Sequence, residues 1–217
     1  NKYDKFLAEN YDYKANTYET NKINLLSNPT SLYAKQPTVY YGLMYLAKNA
    51  KKEVKIHTPY IICNDYMYNE LKNIKVPTTI MTNSAENNGN IFGAVDYLNH
   101  KKDIINTGVT IKEYEGGISY HGKSMTIDDD IAIVGSFNMD MRSAYIDTEL
   151  MLVINSKDIN KQLKASMEEY EKKAATVKNE TEYSHIPEGM KMKELSDKKK
   201  NIKAWFGWAM NGLRFLF

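Results

Sequence analysis

His121 and Lys123 stand two residues apart in SYHGKSMTI, Asp128 opens the acidic turn that follows, and Gly135-Ser136-x-Asn138 closes the next apolar run, Ile131 to Val134. Residues two apart on a strand point to one face, so His121 and Lys123 share a face while Gly122, Ser124 and Thr126 take the other. Ser136 and Asn138 share a face in the same way, and the Asp128-Asp129-Asp130 turn makes a hairpin of the two strands. Glu149 opens a third strand from which a carboxylate could approach the imidazole. This set of groups suits a phosphodiester. Imidazole can attack phosphorus or deliver a proton near neutral pH, and a carboxylate on its second nitrogen fixes tautomer and basicity. An ammonium with hydroxyl and amide donors can hold the non-bridging oxygens and stabilise a five-coordinate transition state, work that a divalent metal would otherwise do. Asp128 lies an odd number of residues from His121, so parity turns it away and gives it a structural part in the turn.

The bulk composition limits what surrounds these groups. With 217 residues and 42% hydrophobic content the chain can bury a core, and a net charge of +2 argues against the broad basic footprint of a dedicated nucleic-acid binder. Any basic site is local. The one cysteine, Cys63, excludes an internal disulfide and reads as a buried small hydrophobe. His57, His100, His121 and His185 are far apart and lack partners at ligand spacing, so the expectation is chemistry with no metal and no cofactor. His57 and His100 read as structural or exposed. Asn83 and Ser84 read as caps for the helix that follows them, and Arg142, one of two arginines, as an anchor for its loop, with phosphate contact as the alternative.

Elements that could position the site follow from periodicity. Val39, Leu43, Leu46 and Ala47 recur at helical spacing after Thr38, a candidate cap, and lysines 48 to 52 end that helix. Residues 54–62 read as a strand, 64–74 as a helix, 78–83 as a strand, 91–108 as a helix closed by Gly108, and 109–115 as a strand. Three more strands are expected at 121–127, 131–136 and 148–154, followed by a long amphipathic helix over 157–178. Alternating strands and helices that end in consecutive strands predict an α/β sandwich around one mixed sheet. Residues 1–34 read as a connector, 35–178 as the catalytic half-domain, and 179–217 as a linker with a terminal helix.

His121-x-Lys123-x4-Asp128 followed by Gly135-Ser136-x-Asn138 resembles the HKD signature of the phospholipase D superfamily, with every spacing intact. TPYII (58–62), MTNSAENN (81–88), NTGVTIKEYEG (106–116) and GSFNMDMRSAYIDTELMLVI (135–154) resemble its bacterial cardiolipin synthase and phospholipase D branch. The resemblance implies an α-β-α sandwich and a two-step transfer. One HKD histidine attacks the phosphodiester to give a phosphohistidine, a second HKD histidine protonates the leaving alcohol, and water or another alcohol resolves the intermediate. It makes His121, Lys123 and Asp128 the motif residues, Lys123, Ser136 and Asn138 the phosphate ligands, and Glu149 the acid that orients the catalytic histidine. Asp147 departs from the asparagine that many members carry there. No second His-x-Lys-x4-Asp occurs in the chain, which therefore reads as the C-terminal half of a two-motif enzyme whose first motif lies upstream of Asn1. By the family's usual assignment His121 is then the general acid, though the order could be reversed. The implied partners are a phospholipid substrate, a membrane surface and the upstream half or a second copy. The alternative is a single-motif homodimeric nuclease or phosphodiesterase.

The tail KKKNIKAWFGWAMNGLRFLF (198–217) places Ile202, Trp205, Phe206, Ala209, Leu213 and Leu216 on one helical stripe behind three lysines. It is too short and interrupted to span a bilayer. Lys198, Lys199, Lys200, Trp205, Phe206 and Trp208 are therefore expected at a membrane interface, with docking on the missing half as the alternative. The corresponding location is the cytoplasmic membrane, held peripherally or through the upstream part.

Overall fold

A computed structural model of the chain describes residues 12–31, 33, 35–206, 212 and 214–216, with only the backbone of Trp205 and Phe206. Its centre is a parallel unit: strand β2 (Val54–His57) pairs with β4 (Thr78–Asn83), and β4 with β5 (Thr110–Tyr114). Helices α2 (Asp65–Lys72) and α3 (Ile91–Ile105) make the crossovers that parallel pairing requires. On the other side of β2 the chain runs as an antiparallel meander of β6 (Ser124–Ile127), β7 (Ile131–Gly135) and β9 (Leu150–Asn155), with β1 (Lys22–Ser27) paired to β9 at the edge. Strands β10 (Ala174–Val177) and β11 (Tyr183–His185) complete a nine-stranded mixed sheet of order β1-β9-β7-β6-β2-β4-β5-β10-β11. The expected α/β architecture is the one observed.

Helix α1 (Thr38–Lys48) buries Val39, Tyr40, Leu43, Met44 and Ala47, one stripe at three- and four-residue spacing, into the main core with Ile56, Ile80, Met125 and Ile133. Its N-cap is Pro37, not Thr38, and the Val39 N–H is satisfied by the Asn28 side chain, 3.1 Å away. Helix α5 (Lys157–Glu171) lies on the opposite side of the sheet against β7, β6 and β5, burying Asn160 and Met167. Its C-terminal end is pinned electrostatically. Glu171 accepts from Lys112 Nζ (2.5 Å) and lies 3.2 Å from Nε2 of buried His57. Burial raises the Glu171 carboxyl, but His57, Lys112 and Lys55 outweigh it and hold the group down at about 2. His57 is thus structural.

Several boundaries differ from expectation for identifiable reasons. The strand expected over 54–62 breaks at Thr58-Pro59, because proline has no N–H for the ladder; β3 (Ile61–Ile62) instead pairs with β8 (Met139–Asp140) in a separate two-stranded sheet. The helix expected over 157–178 ends at Glu171, and the alanine-rich segment after it becomes β10, whose Ala174 and Ala175 are buried beside β5. Within the stretch read as connector, β1 is an integral edge strand. Within the stretch read as linker, β11 pairs with β10, and α6 (Asp197–Phe206) packs near α3.

Candidate active site

His121 is exposed in the segment that enters β6, and the peptide before it is held from both sides by one buried side chain. Asn83, at the end of β4, accepts from the Tyr120 N–H (2.8 Å) and donates to the Tyr120 carbonyl (2.9 Å) and the Pro59 carbonyl (2.8 Å). Gly122 permits the tight passage from Tyr120 to Lys123, since a Cβ there would lie 2.3 Å from the Tyr120 hydroxyl. Lys123 turns its ammonium back onto its neighbour: Nζ donates to the His121 carbonyl (2.8 Å) and lies 3.0 Å from Nδ1 of the imidazole. The strand expected from residue 121 starts only at Ser124, so the contact is made by two residues of the entering segment and not by strand neighbours. Partial burial, with the Lys123 charge added, pushes the His121 imidazole below its ordinary value and favours the neutral ring. Burial also lowers Lys123, against the pull of Glu149 and Asp140.

The third strand supplies its carboxylate to hydroxyls and not to the imidazole. Glu149 is buried; it accepts from Ser143 Oγ (2.8 Å) and from Ser136 Oγ. Glu149, the acid expected to orient His121, is hydrogen-bonded here to these two hydroxyls. The reason is the path of β7 into its loop. Gly135 lets β7 approach β9 so closely that a Cβ would sit 2.1 Å from the Leu150 carbonyl, and this brings Ser136 directly over the start of β9. Asn138 is tied to Ser143 through its backbone N–H (3.3 Å) and side chain (3.4 Å), and its buried Oδ1 has no hydrogen-bond partner among the described residues.

Two residues that sequence reasoning passed over complete the floor. Asp140 caps α4 (Met141–Tyr145) by accepting from the Ser143 N–H at 2.5 Å, and Ser143 in turn links Asn138 to Glu149. The signal was available, because Asp140-x-x-Ser143 has the spacing of a helix N-cap. Burial pushes the Asp140 carboxyl up to about 6 despite that hydrogen bond.

Asp128 lies away from this group. It occupies the left-handed region (φ 51°) at the β6–β7 turn, and its carboxylate accepts from the backbone N–H groups of Lys51 (2.9 Å), Lys52 (2.7 Å) and Glu53 (3.2 Å). Burial raises this carboxyl and the three N–H groups lower it, with a net shift below the ordinary value. Asp128 thus ties the hairpin to the α1–β2 connection, the structural part in the turn that the sequence implies. Helix α3 is capped by Asn90 and not by Asn83 or Ser84. Arg142 pairs with Asp147 (2.9 Å) and donates to the Leu216 carbonyl (3.4 Å), an anchoring role.

Of the tail residues expected at a membrane, Lys198 and Lys200 are exposed, while Lys199 is buried and faces the protein, which overturns a lipid-facing role for it. Trp208 and the side chains of Trp205 and Phe206 lie outside the described residues. Among the described residues no helix is long and apolar enough to cross a membrane, and no cluster of His, Cys, Asp and Glu could hold a metal ion. Beside His121 opens a pocket of about 520 Å³ lined by Tyr114, Tyr120, Gly122, Leu163, Met167 and Tyr170, among others.

Residues 43–170 match the family model described as cardiolipin synthase, PLD-like domain. The chain belongs to this family. The phospholipase D-like chain is 30% identical over 159 residues to cardiolipin synthase 1 of Staphylococcus epidermidis, covering 72% of this chain and 32% of that protein. It is 26% identical over 192 residues to cardiolipin synthase 1 of Staphylococcus aureus, covering 85% and 38%. It thus spans about a third of the length of the curated relatives it matches. Two solved structures share the phospholipase D-like fold at 16% identity. Phosphatidylserine synthase of Haemophilus influenzae superposes with a TM-score of 0.65 over 90% of this chain and 48% of its own. The phospholipase D family member Nuc of Salmonella typhimurium superposes with a TM-score of 0.57 over 72% and 97%.

Proposed function

We propose that the chain supplies one of two HKD motifs to a phospholipase D-type enzyme that transfers or hydrolyses phosphodiesters of membrane phospholipids. The observation that carries this reading is the His121–Lys123 pair, with an exposed imidazole and an ammonium 3.0 Å from its Nδ1. In the first step one imidazole nitrogen forms a bond to phosphorus as the P–O bond to the alcohol breaks, and a protonated imidazole on the far side gives its proton to the leaving oxygen. In the second step that same imidazole, now neutral, takes a proton from water or an alcohol as its oxygen displaces the phosphohistidine. One His121 cannot stand on both sides of phosphorus, so a second histidine is required. Lys123, with Ser136 and Asn138, holds the phosphate oxygens.

The surface next to the site supports a partner half. Ile23, Leu25, Val134 and Leu150 are exposed on β1, β7 and β9, and the register, which sets Leu152 opposite both Leu25 and Val134, puts them on one face. That face adjoins Ser136. In this reading the isolated chain is inactive and the upstream half restores turnover. The names of the relatives favour a phospholipid over nucleic acid, as does the low net charge, and a membrane surface is the corresponding place of action.

Denaturing the enzyme during turnover and mapping the labelled histidine decides the roles. Family order makes His121 the acid, yet in this chain alone the imidazole is biased toward the neutral form that a nucleophile needs. An acid-labile phosphate on His121 would assign attack to it; label on the upstream histidine would leave it as the acid. Turnover by the 217 residues alone, falling on dilution, would replace the two-motif reading with a homodimer of single-motif chains.

A further inference from the structure

The C-terminal helix α6 lies outside the residues that match the family model, yet it reaches the polar network behind His121 through one buried cation. Lys199 Nζ lies 2.8 Å from the Ala85 carbonyl, 2.5 Å from that of Glu86 and 3.0 Å from that of Asn88. An ammonium has three N–H groups, and each meets one carbonyl of the turn between β4 and α3. Three carbonyls directed at one point leave a concentration of negative potential that is costly to bury without a cation. Two further contacts seat the helix: Glu86 accepts from the Ser196 N–H (2.9 Å), and Lys193 pairs with Glu115 (3.2 Å).

The turn held in this way belongs to the scaffold of the catalytic segment. Asn87 donates to Asn83 Oδ1 (3.1 Å) and to the Ile118 carbonyl (3.2 Å), and Asn88 donates to the Pro59 carbonyl (3.4 Å). Asn83 holds both backbone polar groups of Tyr120, whose peptide leads directly into His121. From the Lys199 ammonium to the His121 peptide the path runs through hydrogen bonds and one short turn, and its asparagines and Lys199 are buried.

We propose that Lys199 is a positioning residue for His121, the C-terminal helix supplying the cation that fixes the 84–90 turn and, through Asn83, the histidine segment. The inference rests on the reading of His121 as the phosphotransfer residue. Its test is Lys199→Ala in the complete enzyme, assayed on a small chromogenic phosphodiester so that membrane binding plays no part. A displacement of about 1 Å at a catalytic group costs up to about 100-fold, so kcat should fall about 10- to 100-fold with KM little changed. Propylammonium, which replaces the deleted atoms, should restore turnover, whereas tetramethylammonium at equal ionic strength, having no N–H, should not. Independently of any substrate, the His121 imidazole followed by NMR should titrate at higher pH in the variant, because a loosened segment is better solvated. That readout keeps the positioning claim testable if the phosphodiester is not turned over and the functional reading fails. Lys199→Gln, which retains two N–H donors, serves in the same assays if the alanine variant does not fold. Lower thermal stability with kcat, KM and the His121 titration all unchanged would reduce Lys199 to a packing contact and overturn the proposal. Loss of activity on vesicles alone, with chromogenic turnover intact, would overturn it in favour of a membrane element.

Discussion

Replacing Asp128 by asparagine should cost stability and spare the chemical step. The carboxylate accepts from three consecutive backbone N–H groups, Lys51 reaching both Oδ2 (2.9 Å) and Oδ1 (3.1 Å), and Lys52 and Glu53 reaching Oδ1. Asparagine keeps the Oδ1 acceptor, loses the charge that strengthens its bonds, and replaces the second oxygen that the Lys51 N–H also uses by an NH2 group. A hydrogen bond to a charged group contributes about 1.5–3 kcal/mol; the site is partly exposed, which reduces this, so a loss of about 1–2 kcal/mol is expected. For a chain of this size that corresponds to a fall of roughly 2–8 °C in Tm. Asparagine tolerates the left-handed backbone of residue 128, so the change isolates the carboxylate; Asp128→Ala should lose about 1 kcal/mol more from that conformation. The sign with pH follows from the depressed carboxyl. Its stabilisation is present above the unfolded value, near 3.8, and is lost as pH falls through the lower folded value, so wild type and Asp128→Asn should converge in acid. Thermal melts at pH 7 and in acid, paired with chromogenic turnover by the complete enzyme, measure both effects. An unchanged Tm with turnover reduced a hundredfold would refute the assignment of Asp128 to the hairpin tie.

His121→Ala in the complete enzyme should reduce turnover by about 10²–10⁴-fold, and Lys123→Ala by about 10²–10³-fold, with folding retained by circular dichroism. Asp140, with its carboxyl pushed up to about 6 by burial, contributes stability that is fully present below about 3.8 and lost as pH rises through about 6; urea unfolding across that window should show the decline, and Asp140→Asn should abolish it. Leu25→Lys together with Val134→Lys should leave the fold of this half intact and weaken its recovery of activity with the upstream half, read as a raised half-saturating concentration. An unaltered recovery would place the half–half contact elsewhere.

How far the sequence reached depended on the range of the interactions. The nearness of His121 and Lys123 is legible from their two-residue separation, although both precede β6 and no strand parity aligns them, and Asp128 is set apart because it lies in the turn beyond the far end of that strand. Helices with regular apolar spacing, such as α1 and α3, were found to within a few residues. What escaped was decided by distant partners. Ala174 and Ala175 have little preference for strands and join the sheet only because β5 offers them an edge. Pro37 displaced Thr38 as the cap because Asn28, distant in sequence, already satisfied the next N–H. Glu149 is legible as the acid that opens the third strand, but its bonds to Ser136 and Ser143 depend on the close approach at Gly135, which no local pattern shows. Lys199 looked like one of three surface lysines, and only the carbonyls gathered by the 84–90 turn distinguish it from its neighbours.

The position of β2 between β4 and β6 has a consequence for the order in which the molecule is made. On the β4 side, β2 finds its partner across a single crossover helix, but on the β6 side Val54 meets Ile127 and His57 meets Ser124, pairings about seventy residues apart in the chain. Closing so long a loop is entropically slower than adding the next parallel strand. The parallel unit can therefore form on the emerging polypeptide before the hairpin that carries His121 and Lys123 has been synthesised. The chemistry is thus the last part of the sheet's centre to arrive, docked onto a surface that is already built. Pulse-labelled hydrogen exchange during refolding would show protection of β4 before β6, and simultaneous protection would contradict that order.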